Sequence, residues 1–252
     1  MPEISIKAET LFHLGNFPFT NAYLMSLISL IVILLLVVFL RKTINLIPGK
    51  LQSVVEVLAE KMLELMDNLL GSRKQSLRYF PIVATVFVFI LVSNWLGLLP
   101  GVGTLVVHQN MVGEGIKDVP LFRSAAADLN FTLALAMISV LFVQIFGVMA
   151  LGVRRHAGKF FNFKNPIYTF VGFLELVSEF VKIISFSFRL FGNIFAGEVL
   201  LGIVGFLVPF LIPLPFLFLE VFVGFIQAFI FTMLTLVFIA MSTAGHEEEY
   251  AH

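Results

Sequence analysis

The chain has 252 residues, of which 59% are hydrophobic and 13% are charged, and its mean hydropathy is +1.02. Soluble domains carry about 25% charged residues, so this composition excludes an ordinary soluble domain and indicates an integral membrane protein. The 16 basic and 16 acidic residues cancel, which gives no support for a nucleic acid or an acidic substrate as partner. Cysteine is absent, which excludes disulfides, thiolate metal sites and thiol catalysis.

The first part of the chain predicts one membrane span and one amphipathic helix. A helix needs about 20 apolar residues to cross the hydrocarbon core, and residues 21–40 meet this requirement. Residues 1–20 are predicted to be external, and no cleaved signal is expected because a basic n-region and a small-residue cleavage site are both missing before the apolar stretch. Residues 51–70 place apolar side chains on one helical face and carboxylates on another. This amphipathic helix is expected to lie in the membrane interface or against a partner; the alternative is a cytoplasmic helix that packs on the rest of the protein.

The middle of the chain predicts two further spans that are joined by a loop. Residues 79–99 form the second span, with Trp95 near its end, where an amphipathic ring favours the interface. Residues 102–127 are mixed in character and contain glycine, so we predict an irregular external loop. Residues 128–151 form the third span and stop before a basic cluster.

Two long helices are predicted at the end of the chain. The apolar segment 168–207 is longer than a perpendicular crossing requires at 1.5 Å per residue, so it must tilt strongly or bend. Three prolines then interrupt the helix, and residues 216–241 return as another long helix. The predicted fold is an all-α integral membrane protein with a single membrane domain, about five membrane helices, an amphipathic interfacial helix and a final hairpin of two long, tilted helices.

The distribution of basic residues predicts the orientation in the membrane. The loops 41–79 and 152–167 together contain eleven lysines and arginines, whereas the opposite side has only Lys7, Lys117 and Arg123. Short loops rich in lysine and arginine stay in the cytoplasm. The N-terminus is therefore predicted to be external, and the acidic tail within residues 242–252 to be cytoplasmic.

Arg189 stands in the middle of a long apolar run, where an arginine costs about 2.5–3.5 kcal/mol even on the mildest scales. At about 100° per residue, five polar residues share its helical face. These are Glu175, Ser178, Lys182, Ser185 and Asn193. Such a stripe is able to form one wall of a hydrated path. Simpler roles stay open: the charged members snorkel or pair at the interface, and the serines bond to their own helix.

Two more carboxylates lie in the last helices. Glu198 falls on the opposite face from Arg189 and about 13 Å further along the axis. Glu220 and Gln227 share a face of the last helix because they are seven residues apart. An antiparallel hairpin would bring Glu220 close to Glu198. Asn193 and Gln227 fit either a path lining or hydrogen bonds between helices. All five histidines lie outside the spans, so no relay histidine or metal site is expected within the membrane.

Four short motifs make the chain similar to a known family. Ser-Phe-Arg-Leu-Phe-Gly-Asn at 187–193, Ala-Gly-Glu at 196–198, Gln-Ala-Phe-Ile-Phe at 227–231 and Ala-Asp-Leu-Asn at 127–130 resemble subunit a of F-type ATP synthases, and the likeness covers nearly the whole chain. The phenylalanine-rich sequence suggests a bacterial and specifically an alphaproteobacterial source.

This resemblance implies a role for each candidate residue. Arg189 corresponds to the essential arginine, Asn193 and Gln227 line the region around it, and Glu198 and Glu220 belong to an external half-channel. On the cytoplasmic side lie Glu175 and Lys182, with Ser178 and Ser185 on the same helical face, and Asp128 of the Ala-Asp-Leu-Asn motif completes the proton-translocation set. Many relatives pair a histidine with a carboxylate where this chain has Glu198 and Glu220, so a shared proton or a bound water would have to replace the histidine.

The implied function is that of a stationary subunit that couples proton flow to rotation of a ring of c-subunits. The expected partners are this ring, b-type peripheral-stalk subunits, the F1 sector through the stalk and the lipid of a bacterial inner membrane. No cofactor or nucleic acid is expected, and ATP chemistry must reside elsewhere because the chain has no nucleotide-binding Gly-Lys-Ser/Thr loop. The alternatives are a secondary transporter, which lacks support from repeated halves or paired broken helices, and a structural anchor, which leaves Arg189 without a purpose.

Overall fold

The computed structural model describes residues 7–15, 17–45, 48–103, 105–111, 115–160, 165–208 and 211–243. In chain order the elements are β1 (Thr10–Leu14), β2 (Phe17–Thr20), α1 (Asn21–Thr43), α2 (Lys50–Leu70), α3 (Arg73–Leu96), β3 (Val106–Met111), β4 (Gly115–Pro120), a 3-10 turn (Ala125–Ala127), α4 (Leu129–Leu151), α5 (Val153–Phe160), α6 (Pro166–Leu207) and α7 (Pro213–Thr243). Five of these helices are long and apolar enough to cross a membrane: α1, α3, α4, α6 and α7. The prediction of an all-α membrane protein is confirmed.

Local sequence signals explain several of the boundaries. The Thr20 hydroxyl accepts a hydrogen bond from the Tyr23 amide and so caps the start of α1. Gly71 ends α2 in the left-handed conformation, with φ at 68°. α3 begins at Arg73, earlier than the predicted span, directly after the extended residue Ser72, and it continues through Pro81 into its apolar part.

The described residues of the segment 102–127 include two regular strands, so the prediction of an irregular loop is wrong for them. The segment contains the antiparallel hairpin of β3 and β4, in which Val107 pairs with Val119. A second small hairpin, β1 with β2, precedes α1. Strand pairing satisfies the backbone hydrogen bonds of segments that are too short and too polar to span a membrane as helices. Most of the predicted tail, from residue 244 onward, lies outside the described residues.

The core lies between α3, α4, α6 and α7. Its first cluster includes Phe87 and Ile90 of α3, Leu190 of α6 and Phe231 of α7. α1 contributes little, since only 11% of its span is buried. The amphipathic helix α2 buries Leu63 and Met66 and leaves the apolar side chains of its first half exposed.

Interhelical hydrogen bonds fix the register of the long hairpin on the other helices. The Asn94 side-chain amide of α3 donates to the carbonyl of Gly224 at 3.0 Å, and the adjacent Trp95 indole donates to the carbonyl of Val221 at 3.1 Å. The hydroxyls of Thr132 on α4 and Ser187 on α6 lie 3.0 Å apart in the core. These bonds hold α6 and α7 at a defined depth, and so position the charged residues they carry.

Candidate functional site

The polar stripe of α6 lies on the surface that this chain leaves uncovered. Glu175, Ser178, Ser185 and Asn193 are exposed, and Arg189 is half-buried at the edge of the stripe. The opposite side of α6 packs into the core through residues such as Leu190. α6 is continuous from Pro166 to Leu207, so the stripe and the arginine belong to one rigid element.

Arg189 has neither an ion pair nor a hydrogen bond within the part of the chain that the structure describes. A guanidinium cannot shed its proton, and it has five N–H donors to satisfy. Inside a membrane helix it requires a counter-charge or water. Its partner must therefore come from outside the described chain.

Lys182 is paired within its own helix. Its Nζ lies 2.6 Å from Oε1 of Glu179 and 4.6 Å from the centroid of the Phe238 ring on α7. The side chains of the ion pair are only 18% and 17% exposed. Sequence reasoning left pairing open for Lys182 but missed Glu179, although a spacing of three residues along a helix is itself a signal for such a pair.

Glu198 and Glu220 line one cavity of about 390 Å³. Glu220 is buried, while the Glu198 side chain is 35% exposed. α6 and α7 approach so closely here that a Cβ atom added to Gly197 would collide with the Glu220 carboxylate. The hairpin therefore brings the two carboxylates to the same cavity, and Asn94 of α3 contributes to its wall.

Arg123 also faces this cavity, and sequence reasoning had treated it only as one of the few external basic residues. Its Nε lies 3.7 Å from Oε2 of Glu198. Its other nitrogens donate to the backbone carbonyls of Lys7, at 3.0 Å, and Ala127, at 3.3 Å. The residue is only 6% exposed. One sequence signal could have identified Arg123 as a site residue. It is an isolated arginine just before the start of a span, on the side predicted to be poor in basic residues.

The remaining predicted residues have separate surroundings. Gln227 is buried on α7, on the same side as Glu220. Asp128 caps α4, because its carboxylate accepts from the amide of Asn130 at 2.9 Å. It is not among the residues that line the cavity. His156 is buried on α5, with Nε2 2.7 Å from the Gln144 side-chain oxygen, and burial lowers its pKa. No group of three potential metal ligands occurs among the described residues.

The fold and these residues define a multi-pass membrane protein with ionisable groups inside its helix bundle, which is the hallmark of ion translocation. The chain belongs to the family described as "ATP synthase A chain", whose model matches residues 23–240. It is 34% identical to "ATP synthase subunit a" of Moorella thermoacetica over 96% of this chain and 99% of that protein. The same-named proteins of Campylobacter jejuni and Mycobacterium ulcerans are each 32% identical, over 91% and 92% of this chain and 92% and 90% of their own lengths.

The resemblance seen in the sequence motifs is thus confirmed, as is the prediction of a bacterial family member. The protein is a proton-translocating stator subunit in the membrane sector of an F-type ATP synthase, and the family has no catalytic site on this subunit. This assignment takes precedence over the transporter and anchor alternatives. An alphaproteobacterial source stays a prediction.

Proposed function

We propose that Arg189 stands between two half-channels that deliver protons to, and collect them from, a carboxylate on a rotating ring of c-subunits. The observation that carries this proposal is that Arg189 lacks a partner among the described residues and lies beside a face of α6 that this chain leaves uncovered. A ring of small hairpin subunits against this face would supply the missing counter-charge.

The arginine has two physical tasks in this mechanism. A fixed cation stabilises the ionised form of a carboxylate that comes close to it, so a ring site releases its proton as it approaches Arg189. The same charge repels a proton that would otherwise pass directly from one half-channel to the other. Each proton carries about 2.3 kcal/mol per 100 mV of membrane potential, so coupling requires that this leak be blocked.

The external half-channel is assigned to the cavity that contains Glu198 and Glu220, with Gln227 on the way to the ring. The two carboxylates share a proton there and replace the mixed histidine and carboxylate pair of other relatives. Proximity of Gly197 to the Glu220 carboxylate supports this pairing, since it places both acids at the helix contact.

The cytoplasmic half-channel is assigned to the exposed polar face of α6 on the other side of Arg189. Glu175, Ser178 and Ser185 line it, and Asn193 flanks the arginine toward the external side. Lys182 contributes through its ion pair with Glu179. Asp128 contributes indirectly, by fixing the start of α4.

The orientation follows from the basic loops: the N-terminus is external and the C-terminus cytoplasmic, in the plasma membrane of a bacterium. α6, at about 63 Å, is twice as long as the hydrocarbon core is thick, so it crosses at a steep tilt. The exposed apolar side chains of α1 and α2 suit contacts with lipid and with b-type stalk subunits, which connect this subunit to the F1 sector.

Replacement of Arg189 tests the proposal. Arg189→Ala and Arg189→Lys are each expected to abolish proton-driven ATP synthesis in vesicles that contain the complete complex, while the complex still assembles. Lysine keeps the charge, but its compact and strongly hydrated ammonium does not reproduce the planar guanidinium. Arg78→Lys is the matched control, because Arg78 is exposed at the start of α3. Synthesis near the parental rate in the Arg189→Lys complex would contradict the assignment.

A further inference from the structure

We propose that Arg123 is a positioning residue of the external half-channel: it holds the Glu198 carboxylate in place, as a fixed counter-ion, while leaving it open to the cavity. This inference rests on the proposed function, because it deepens the role of the external path. Arg123 lies in the segment between β4 and α4, so the charge comes from the external loop rather than from the helix hairpin.

The guanidinium of Arg123 is fixed from several directions. It donates to the carbonyl of Lys7 in the N-terminal segment and to the carbonyl of Ala127 at the start of α4. Its Cζ lies 6.0 Å from the centroid of the Phe195 ring, one turn before Glu198 on α6. Two of its three nitrogens are thus engaged by backbone, and the third, Nε, faces Glu198. The cation cannot follow the carboxylate if the carboxylate moves.

The pair is ionic but loose. At 3.7 Å the contact between Nε and Oε2 of Glu198 is too long for a hydrogen bond, and neither atom has a hydrogen-bond partner among the described residues. A tight bidentate pair would occupy both carboxylate oxygens. Here the Glu198 side chain remains 35% exposed and faces the cavity, so water can still exchange a proton with it.

Charge balance shows why this cation matters. The residues that line the cavity include three carboxyl groups, Glu9 of the N-terminal segment, Glu198 of α6 and Glu220 of α7. Arg123 is the basic side chain among these lining residues, and α3 contributes the uncharged Asn94. Without the arginine, Glu198 would lose its fixed counter-ion while it shares the cavity with Glu220, and like charges disfavour ionisation. Glu198 would then hold its proton more tightly and pass it on less readily.

The first experiment uses the complete complex in liposomes, with a constant potassium diffusion potential and a constant pH on the F1 side. ATP synthesis is measured as the pH on the opposite side is varied. For Arg123→Gln we expect the maximal rate to fall at least threefold and the half-maximal rate to move by at least half a pH unit toward higher pH. Arg123→Lys should recover part of both effects. Arg78→Gln, an exposed arginine of α3, should change neither.

A double substitution separates positioning from a general structural effect. If Arg123 acts through Glu198, its replacement should no longer shift the pH midpoint in a Glu198→Gln background. An unchanged midpoint in Arg123→Gln, or the same shift with and without Glu198, would overturn the proposal. If Arg123→Gln does not assemble, Arg123→Lys carries the test, and a parental midpoint in that complex counts against the proposal.

A chemical measurement keeps this inference distinct from the proposed function. Dicyclohexylcarbodiimide adds to protonated carboxyl groups, and mass spectrometry of the Glu198 peptide reports the extent of addition. In the Arg123→Gln complex we expect at least twofold more labelling of Glu198 at neutral pH than in the parental complex. Equal labelling would refute the role of Arg123. This result stands whatever the Arg189 variants show, because it requires no proton flow.

Discussion

Gly197→Ala is the substitution that tests most directly where the Glu220 carboxylate lies in the proposed external half-channel. Gly197 is buried on α6, and a Cβ atom there would collide with both carboxylate oxygens and with Cδ of Glu220. All of these atoms belong to the far end of a flexible side chain rather than to backbone. The Glu220 carboxylate must therefore withdraw, while the two helices keep their places.

The displacement of the Glu220 carboxylate should lower proton conduction far more than it lowers the stability of the folded protein. Ordinary van der Waals contact begins at 3.4 Å, so the carboxylate has to shift by about 1 Å or more. A misplacement of about 1 Å can lower the rate at a reacting site by about 100-fold. The folded protein loses little, because rotation of the Glu220 side chain relieves the collision, and alanine favours a helix over glycine by up to about 1 kcal/mol. We expect proton conduction to fall 10- to 100-fold with no loss of thermal stability.

The assay is passive proton conduction through vesicles from which the F1 sector has been removed, together with the melting temperature of the purified complex. Gly205→Ala is the matched control, since Gly205 lies on the same helix and an added Cβ would meet no atom within 4 Å. Glu220→Asp shortens the side chain by about 1.5 Å. The double variant Gly197→Ala with Glu220→Asp should therefore conduct better than Gly197→Ala alone. Parental conduction in Gly197→Ala would refute the placement of Glu220 against α6.

Two further predictions concern the same paths. Glu198→Gln and Glu220→Gln should each slow proton conduction, and their effects should not add in a double-mutant cycle. Glu220→His should retain substantial activity. Strictly independent effects of the two glutamine substitutions would contradict the proposed pairing of Glu198 with Glu220. Because the chain has no cysteine, single cysteines can report access: one at Ser178 should react with polar thiol reagents from the cytoplasmic side, and one at Glu198 from the external side. Equal reaction of both from one side would indicate a continuous pore and contradict the two half-channels.

The charged residues of the cavity show most clearly what the sequence could predict and what it could not. The proximity of Glu198 and Glu220 was predictable, because prolines between two long apolar segments favour a hairpin and a hairpin brings these positions together. Arg123 was not predictable in the same way. No periodicity links a loop residue to a helix residue far along the chain, and only the packing of the segment between β4 and α4 against α6 reveals the contact.

The sequence by itself determined that the protein is a membrane-spanning helical bundle and that Arg189 is a charge within an apolar helix. Hydropathy and helical periodicity are local properties, and an arginine within a membrane span is costly in any membrane fold. The Lys182–Glu179 pair lies within one turn of α6, so residue spacing could have predicted it. Tertiary structure alone decided that Arg123 neutralises Glu198 and that Arg189 lies beside an uncovered face. The reason is physical: an ion pair between distant segments depends on distances of a few ångströms, which are set by packing rather than by residue spacing.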